Sequence, residues 1–499
     1  MVKPSLNVPT LFTDKKELLS YDYDQVKNLV DTDIDHYTFI DNLSIAEDKG
    51  TLCKNYFKSI MLGYNHVFID KVMKHVKTRS NICLPLLHQW LSTEKEGKSR
   101  IDNLVIINHP DDAERICKDH VKKAPIFKSF LYDSIISTTD NEDWQSQRGD
   151  MNIAFIPKLS LKKVFPISQK RALQCAELLQ EKSNHYTEPV NMSEFFLHET
   201  QAQLQLGMFG FSDEFQEKTN KKIRDAFSGK GLEYTDEFSD QALQETQTSK
   251  GPLSKLFDLS EDEYKNKGNM LIFAFAGHDT TGHTLTWLLY ELCKHPKYKQ
   301  ELIKEVDAYW LKHDEESYDT FNELPFMTKC ITETLRLWPA LANGTYRELE
   351  HDETITGIDG NPVKVKKGTY CQIMNWTRHR NPELWGKDAD TFNPHREFKD
   401  SEIWAHEGFG TYNVSSDRYS PFTYGPRNCI GKNFSHMEMR LILLNLFKNY
   451  DFELSYDQLI KINYSKYYGI NLFTLGPTSI KDDELLGLYV DVVPRKSKL

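Results

Sequence analysis

A mainly α-helical chain with small β-sheets is the fold class expected from the order of segments in this sequence. One run, 260–294, would make a helix of roughly 50 Å at ~1.5 Å per residue, long enough to cross a domain. Shorter helical runs cover 61–92, 192–210, the stretch from Pro325 to Pro339, and 432 to about 447. Between and after them lie brief β runs at 104–107, 364–374 and beyond Phe447, the last at 488–493.

The 499 residues allow one large domain or two to three smaller ones, and 39% hydrophobic with 12% aromatic content supplies a sizeable core. We expect a single domain over 61–499, preceded by a polar extension at 1–60. A net charge of −11 argues against nucleic acid as a partner and leaves no basic membrane patch. Eight cysteines are scattered without close metal-ligand spacing, so a reducing compartment with no disulfide framework is expected. No stretch reaches the ~18 apolar residues of a transmembrane segment, and Met1-Val2-Lys3-Pro4 opens no signal pattern. The expected setting is soluble and cytoplasmic.

Taken in order, Leu104 to Ile107 reads as a strand, and Pro110 suits the first turn of a helix. Trp144 and Arg148, four apart, fall on one helix face. That face can present two donors to an anion, or it can be a core tryptophan beside a surface arginine. The run 192–210 ends in Phe209-Gly210. Ser260-Glu261-Asp262-Glu263 has the form of a capping box, with Leu259 and Tyr264 as a hydrophobic staple. The middle of the long helix, Ala276-Gly277-His278-Asp279-Thr280-Thr281-Gly282, is built of poor helix formers. Local unwinding is expected there, opening a groove for a small molecule or water. Glu333 and Arg336 share a face, which taken alone is a common surface bridge. A second arginine follows in Phe392-Asn393-Pro394-His395-Arg396. The run 364–374 reads as strand, with Gly368 in a turn.

In the stretch from Pro421 to Gly431, Cys429 has Phe422 seven residues before it, Gly425 four before, Arg427 two before and Gly431 two after. A helical run begins at Lys432. A thiolate that binds a haem iron needs positive dipoles and N–H groups around the sulfur. Gly425 and Gly431 would permit a tight turn and a close approach to a flat ring. The helix N-terminus would point its dipole at the sulfur. Arg427 would reach a propionate, and Phe422 would keep water off the sulfur side. A structural cysteine in a turn is the plain alternative for a lone cysteine. All the fixed positions fit Phe-x-x-Gly-x-Arg-x-Cys-x-Gly, and the stretch resembles the cysteine-ligand signature of the cytochrome P-450 family.

Four other motifs resemble the same family in its order, so that the resemblance spans about residues 100–495. They are Trp144-x-x-x-Arg148, the Ala-Gly-x-Asp-Thr-Thr run from Ala276 to Thr281, Glu333-x-x-Arg336, and Phe392-x-Pro-x-Arg396. The resemblance implies the cytochrome P-450 fold and haem b (iron protoporphyrin IX) as cofactor. It implies Cys429 as iron ligand and Trp144, Arg148, Arg347 and Arg427 as donors to propionates. Phe422, Gly425, Gly431, Ala276 and Gly277 would border the ring. Glu333, Arg336 and Arg396 would form a structural triad that fixes the cysteine loop. Protons must reach dioxygen before its O–O bond breaks: Thr280 would donate a hydrogen bond and Asp279 would relay protons through water. His278 reads as a packing or surface residue. The stretch of about 211–260 is short for the three helices that relatives place there, so a shortened lid is expected. A turn near 474–480 should reach the pocket.

The implied activity is that of a haem-thiolate monooxygenase, which puts one oxygen atom from O2 into an apolar organic substrate such as a fatty acid, sterol or other lipid. No flavin or nicotinamide segment is evident, so electrons would come from a separate reductase or ferredoxin. Its docking surface is expected near Lys432 and Arg440. The competing readings are a haem-thiolate isomerase, dehydratase or nitric-oxide reductase, and a haem-based gas sensor. The first group often lacks the Asp–Thr pair, and a sensor needs an output domain. Many eukaryotic relatives open with a membrane anchor and none is read here, so a soluble or peripheral member is expected. Ser497-Lys498-Leu499 has the form of a peroxisomal import tripeptide, an alternative address to the cytoplasm.

Overall fold

The computed structural model describes residues 56, 59, 65–85, 103–124, 131–227, 231, 233–257, 262–404, 414–455, 458–459, 478–481 and 484–495. Most of the expected N-terminal extension, the residues Leu259 and Ser260 of the expected cap, most of the turn near 474–480, and Ser497 to Leu499 lie outside these residues. The described part is mainly helical with small sheets, as expected. Among the described residues no helix is long and apolar enough to cross a membrane, and the seven cysteines there are all free thiols.

The long helix is Glu263–Lys294. Its N-cap is Asp262, whose carboxylate accepts the Lys265 N–H at 3.1 Å; aspartate caps as well as serine does. The unwinding expected at 276–282 is absent, and the α-helix is continuous. The poor helix formers satisfy themselves instead. The side chains of His278, Thr280, His283, Thr284 and Thr286 each donate to the carbonyl four residues back, at 2.7, 2.9, 2.8, 2.7 and 2.8 Å. Gly282 admits a neighbour. A Cβ there would stand 2.9 Å from Leu197 Cδ2 and 3.1 Å from Leu197 Cα, on the helix Met192–Gln203.

That neighbouring helix continues as a π-helical turn, Leu204–Phe209, and stops at Gly210 with φ 68°, a left-handed cap of the kind glycine takes easily. Among the described residues the segment after it holds two α-helices, Asp213–Phe227 and Tyr234–Thr246. Lys162–Lys182, Pro296–Trp310, Pro325–Leu337 and Lys432–Asn449 also bury side chains in the main helical core.

The strands are β1 (Ile82–Pro85), β2 (Asn103–Ile107), β3 (Val190–Asn191), β4 (Thr345–Glu348), β5 (Glu353–Thr356), β6 (Pro362–Val365), β7 (Tyr370–Ile373), β8 (Tyr450–Leu454), β9 (Gln458–Leu459), β10 (Thr478–Lys481), β11 (Glu484–Leu486) and β12 (Tyr489–Pro494). The largest sheet runs β1-β2-β7-β4. Its central pair is parallel, with Ile107 opposite Ile373, and Leu104 to Ile107 are all buried, as a strand covered on both faces should be.

Two expected elements divide. The run 61–92 is helical only at Asn65–His75 in its described part. Lys77 takes φ 55° and the Thr78 hydroxyl accepts the Ser80 N–H, which turns the chain back as β1. Pairing with β2 gives Ile82, Cys83 and Leu84 a buried ladder that a solitary helix end could not. The run 364–374 splits at Gly368 (φ 86°): β6 pairs with β5, and β7 joins the larger sheet.

Candidate active site

The cysteine loop is closed by its own backbone. Cys429 N–H donates to the Phe422 carbonyl at 2.9 Å, and Asn428 N–H to the Gly425 carbonyl at 3.2 Å. Gly425 takes φ 65°, and a Cβ on it would lie 2.9 Å from the Cys117 carbonyl oxygen and 3.1 Å from Lys118 Cα. Its small size therefore seats the loop on the end of the helix Pro110–Asp119, and it is absent from the cavity wall where it was expected. Gly431 departs from expectation differently. Its φ is −84°, and a Cβ would meet Phe155 Cε1 only at 3.8 Å, so the turn itself does not require glycine there. Gly431 lines the cavity and is the N-cap of Lys432–Asn449.

Cys429 opens into that cavity, where its surface is exposed while protein packs around its other sides. Burial pushes its thiol up, while Lys432, the Gly431 N–H, Arg148 and the Lys432 N–H act to bring it down. These are the positive groups a thiolate ligand needs. Phe422 lines the same wall and packs on His436, ring centroids 5.4 Å apart.

A second wall is the long helix, through Ala276, Gly277, Thr280, Thr281 and Thr284. The Thr280 hydroxyl gives its hydrogen to the Ala276 carbonyl, so in this conformation it turns lone pairs to the cavity and must rotate to donate. A Cβ on Gly277 would stand 2.8 Å from both Cδ atoms of Leu204, so the space beside that glycine is partly filled from the neighbouring helix. Asp279 is not on the cavity wall; its side chain meets His283, with Nδ1 to Oδ1 at 3.4 Å. His278 is buried, and its ring stacks on Phe227 at 5.9 Å.

The third side carries charge. The N-cap Asp140 starts the helix Asn141–Asn152 by accepting two N–H groups, and this helix puts Trp144 and Arg148 on the cavity. Arg148 donates to Asn428 O and Oδ1, both at 2.8 Å, and so braces the cysteine loop. The Arg427 guanidinium lies 4.4 Å over the Trp144 ring. It reaches the Ile135 and Thr138 carbonyls only at 3.4 Å, and its Nε has no partner. Arg347, on β4, is fully buried; one Nη donates to Thr345 Oγ1 at 2.7 Å, while its Nε and other Nη have no partner. Lys123 Nζ, also buried, donates to the same Thr345 hydroxyl at 2.6 Å.

These cations depress one another. Burial, then Arg347, takes Arg427 down to about 9. Burial, Arg347 and Arg427 hold Lys123 well below the ordinary lysine value. A guanidinium keeps its proton regardless, so the displacement expresses the cost of burying this charge without an anion. Glu350, whose charge acts on both arginines, is already taken by the Val121 and Lys122 N–H groups and the Asn141 amide. The donor set therefore fits a haem: a thiol for the iron, arginines with unpartnered N–H groups for propionates, and Ile135, Phe155, Ile272 and Phe273 as apolar wall for a ring. Lys123 was not anticipated from the sequence, because a lysine pair after a strand–helix unit ordinarily means solvent.

Behind the loop, Arg336 grips Glu333 with Nε at 2.6 Å and Nη2 at 2.8 Å, and both are fully buried. Arg396 Nε reaches Glu333 at 3.3 Å and also pairs with Asp388 at 3.0 Å. Arg336 Nη1 donates to the His379 carbonyl at 2.7 Å, and the His379 ring accepts the Ser420 N–H at 3.0 Å. The network thus touches the chain two residues before Phe422.

Glu438 was also unanticipated. It lines the cavity, is fully buried, and has the Thr281 hydroxyl as polar neighbour; burial pushes it well above the ordinary glutamate value. An acid between two methionines, just ahead of the apolar run 441–444, was the available signal. The docking surface expected at Lys432 and Arg440 is corrected. Both side chains are buried, and Arg440 lies 4.2 Å over the Trp404 ring while donating to His436 O and Thr328 Oγ1.

Comparison with known proteins adds one family match and three relatives. The protein-family model for "Cytochrome P450" matches residues 208–480. Putative cytochrome P450 CYP13A5 of Caenorhabditis elegans is 32% identical over 188 residues, covering 38% of this chain and 33% of that protein. Cytochrome P450 3A12 of Canis lupus familiaris is 34% identical over 186 residues, 37% of this chain and 33% of its own length. Putative cytochrome P450 CYP13A6 of C. elegans aligns furthest of these three, 28% identical over 273 residues, 53% of this chain and 49% of that protein. The chain thus spans a third to a half of the length of these relatives. A family match over more than half of the sequence, taking in both the threonine-bearing helix and the cysteine loop, makes this chain a member of the cytochrome P450 family.

Proposed function

We propose that the chain is a haem-thiolate monooxygenase that inserts one oxygen atom from O2 into an apolar organic substrate, with electrons from a separate redox partner. The observation that carries this reading is one cavity that gathers Cys429, the cations Lys123 and Arg427, and Thr280. Haem b bound through Cys429 supplies the redox chemistry that splits O2, one atom entering the substrate and the other leaving as water.

The residues of the chain have separate tasks. Lys432, Arg148 and the N–H groups at the start of Lys432–Asn449 favour an anionic Cys429. Lys123, Arg347 and Arg427 hold the propionates. Ile272, Phe273, Phe275 and Leu341 admit an apolar substrate and exclude bulk water. Protons must then come along the helix, through Asp279 to the site that the Thr280 hydroxyl borders.

Substrates can be found by the spin-state shift of the ferric protein on a lipid and terpenoid panel. With one in hand, Thr280→Ala and Asp279→Asn should consume reductant while releasing hydrogen peroxide in place of product. Unchanged product per electron in both variants removes the relay.

A further inference from the structure

We propose that His283 is the proton inlet of Asp279: its imidazolium gives a proton from Nδ1 to the Asp279 carboxylate, and water recharges the ring. The inference rests on the relay role proposed above for Asp279 and Thr280.

The two side chains sit one turn apart on the long helix. His283 Nδ1 is 2.8 Å from the Asp279 carbonyl oxygen and 3.4 Å from Oδ1. Both are acceptors, so Nδ1 carries the hydrogen and is shared between backbone and carboxylate. Among the described residues no group hydrogen-bonds Nε2. The side chains keep 9% exposure at His283 and 16% at Asp279, so water can reach the pair.

The same helix contains its own comparison. His278 donates from Nδ1 to Ala274 O at 2.7 Å in the same manner, and is likewise buried. Among the described residues no carboxylate is hydrogen-bonded to that ring, and burial takes His278 down to about 4 against the upward pull of the Asp279 charge. At His283 burial also acts downward, but the Asp279 charge and hydrogen bond outweigh it and hold the ring above the ordinary histidine value. The charged and titratable groups around this turn are Asp279, His278 and, from the helix Asp213–Phe227, Arg224. A carboxylate in contact favours the charged form of a histidine and is its natural proton acceptor. The step is balanced: one proton leaves Nδ1 for Oδ1, Asp279 passes one proton on, and the neutral ring, its hydrogen now on Nε2, turns Nδ1 to water and takes one proton there to restore the imidazolium.

The test uses the haem-loaded protein. His283→Gln keeps a side-chain N–H but cannot carry a charge through the neutral range. It should lower product per electron several-fold, raise peroxide correspondingly, and enlarge the solvent deuterium isotope effect on product formation, with substrate KM unchanged. Native coupling in His283→Gln, beside uncoupled Asp279→Asn, overturns the inlet and leaves the Asp279 relay intact. Native coupling in Asp279→Asn overturns the relay itself. A second readout needs no turnover: the His283 titration followed by histidine-labelled NMR should move to lower pH in Asp279→Asn. An unmoved titration overturns the proposal even if His283→Gln fails to fold.

Discussion

At Cys429 the whole assignment rests on one sulfur, and the residues around it make separable predictions. Cys429→Ser should abolish the thiolate-type carbon-monoxide spectrum of the reduced protein. His436→Ala, seven residues on, should keep that spectrum and lose thermal stability, because its buried ring packs on both Trp404 and Phe422 at 5.4 Å. A normal spectrum from Cys429→Ser would remove the ligand assignment. This scale was the most legible in the sequence. Cys429, Thr280 and Arg148 stand in short motifs whose residue types are dictated by one local chemistry. Lys123, Glu438 and His283 were missed for a common reason. Lys123 gains its meaning by converging on Arg347, more than two hundred positions away, Glu438 by facing another helix, and His283 through a backbone hydrogen bond that ordinary helical histidines also make.

Among elements, the helices were readable and their junctions were not. The unwinding expected from Gly277, Asp279 and Gly282 did not occur, since side chains can bond back to their own helix and glycine can serve a neighbour's approach. That gives a prediction. Gly282→Ala should destabilise by about 1–3 kcal/mol, because the backbone of Leu197 leaves no room for a methyl group. Gly149→Ala, in the helix Asn141–Asn152 with nothing within 4 Å of the new Cβ, should instead stabilise by up to ~1 kcal/mol. Denaturant melts of the pair decide it, and equal shifts would contradict the close approach. Arg336→Ala should yield little folded haem protein, since it strands Glu333 without its best partner at a cost of about 3–5 kcal/mol. A well-folded, haem-loaded but inactive variant would argue against the structural role. At the sheet edge, His120, His351 and Glu353 cluster like metal ligands. His120 Nδ1, however, accepts the Glu350 N–H, so Nε2 carries the ring's hydrogen and gives it to Glu353 at 2.9 Å. Burial would raise Glu353, but His120 and Arg115 outweigh it and hold it below the ordinary glutamate value. Its contribution to stability is therefore present above that ordinary value and fades as pH falls through the lower, folded one. Glu353→Gln should flatten this acid limb in melts recorded against pH.

For the whole molecule, the fold brings β4, the segment after Pro110–Asp119, and the cysteine loop together beside the cavity, where Arg347, Lys123 and Arg427 depress one another and, among the described residues, no carboxylate is hydrogen-bonded to them. Ligand binding to such a site should raise stability by mass action. Haem should raise the melting temperature of the apoprotein, and the gain should shrink in Lys123→Met. Equal gains would separate Lys123 from the propionates. The same cluster bears on speed as well as on strength. Charge of one sign buried beside a low-dielectric cleft draws an anion in from a distance, and dissolved salt shortens that reach to about 10 Å at 0.1 M. Haem capture by the apoprotein should accordingly slow as ionic strength rises, and Arg347→Ala should make the capture rate slower and nearly indifferent to salt.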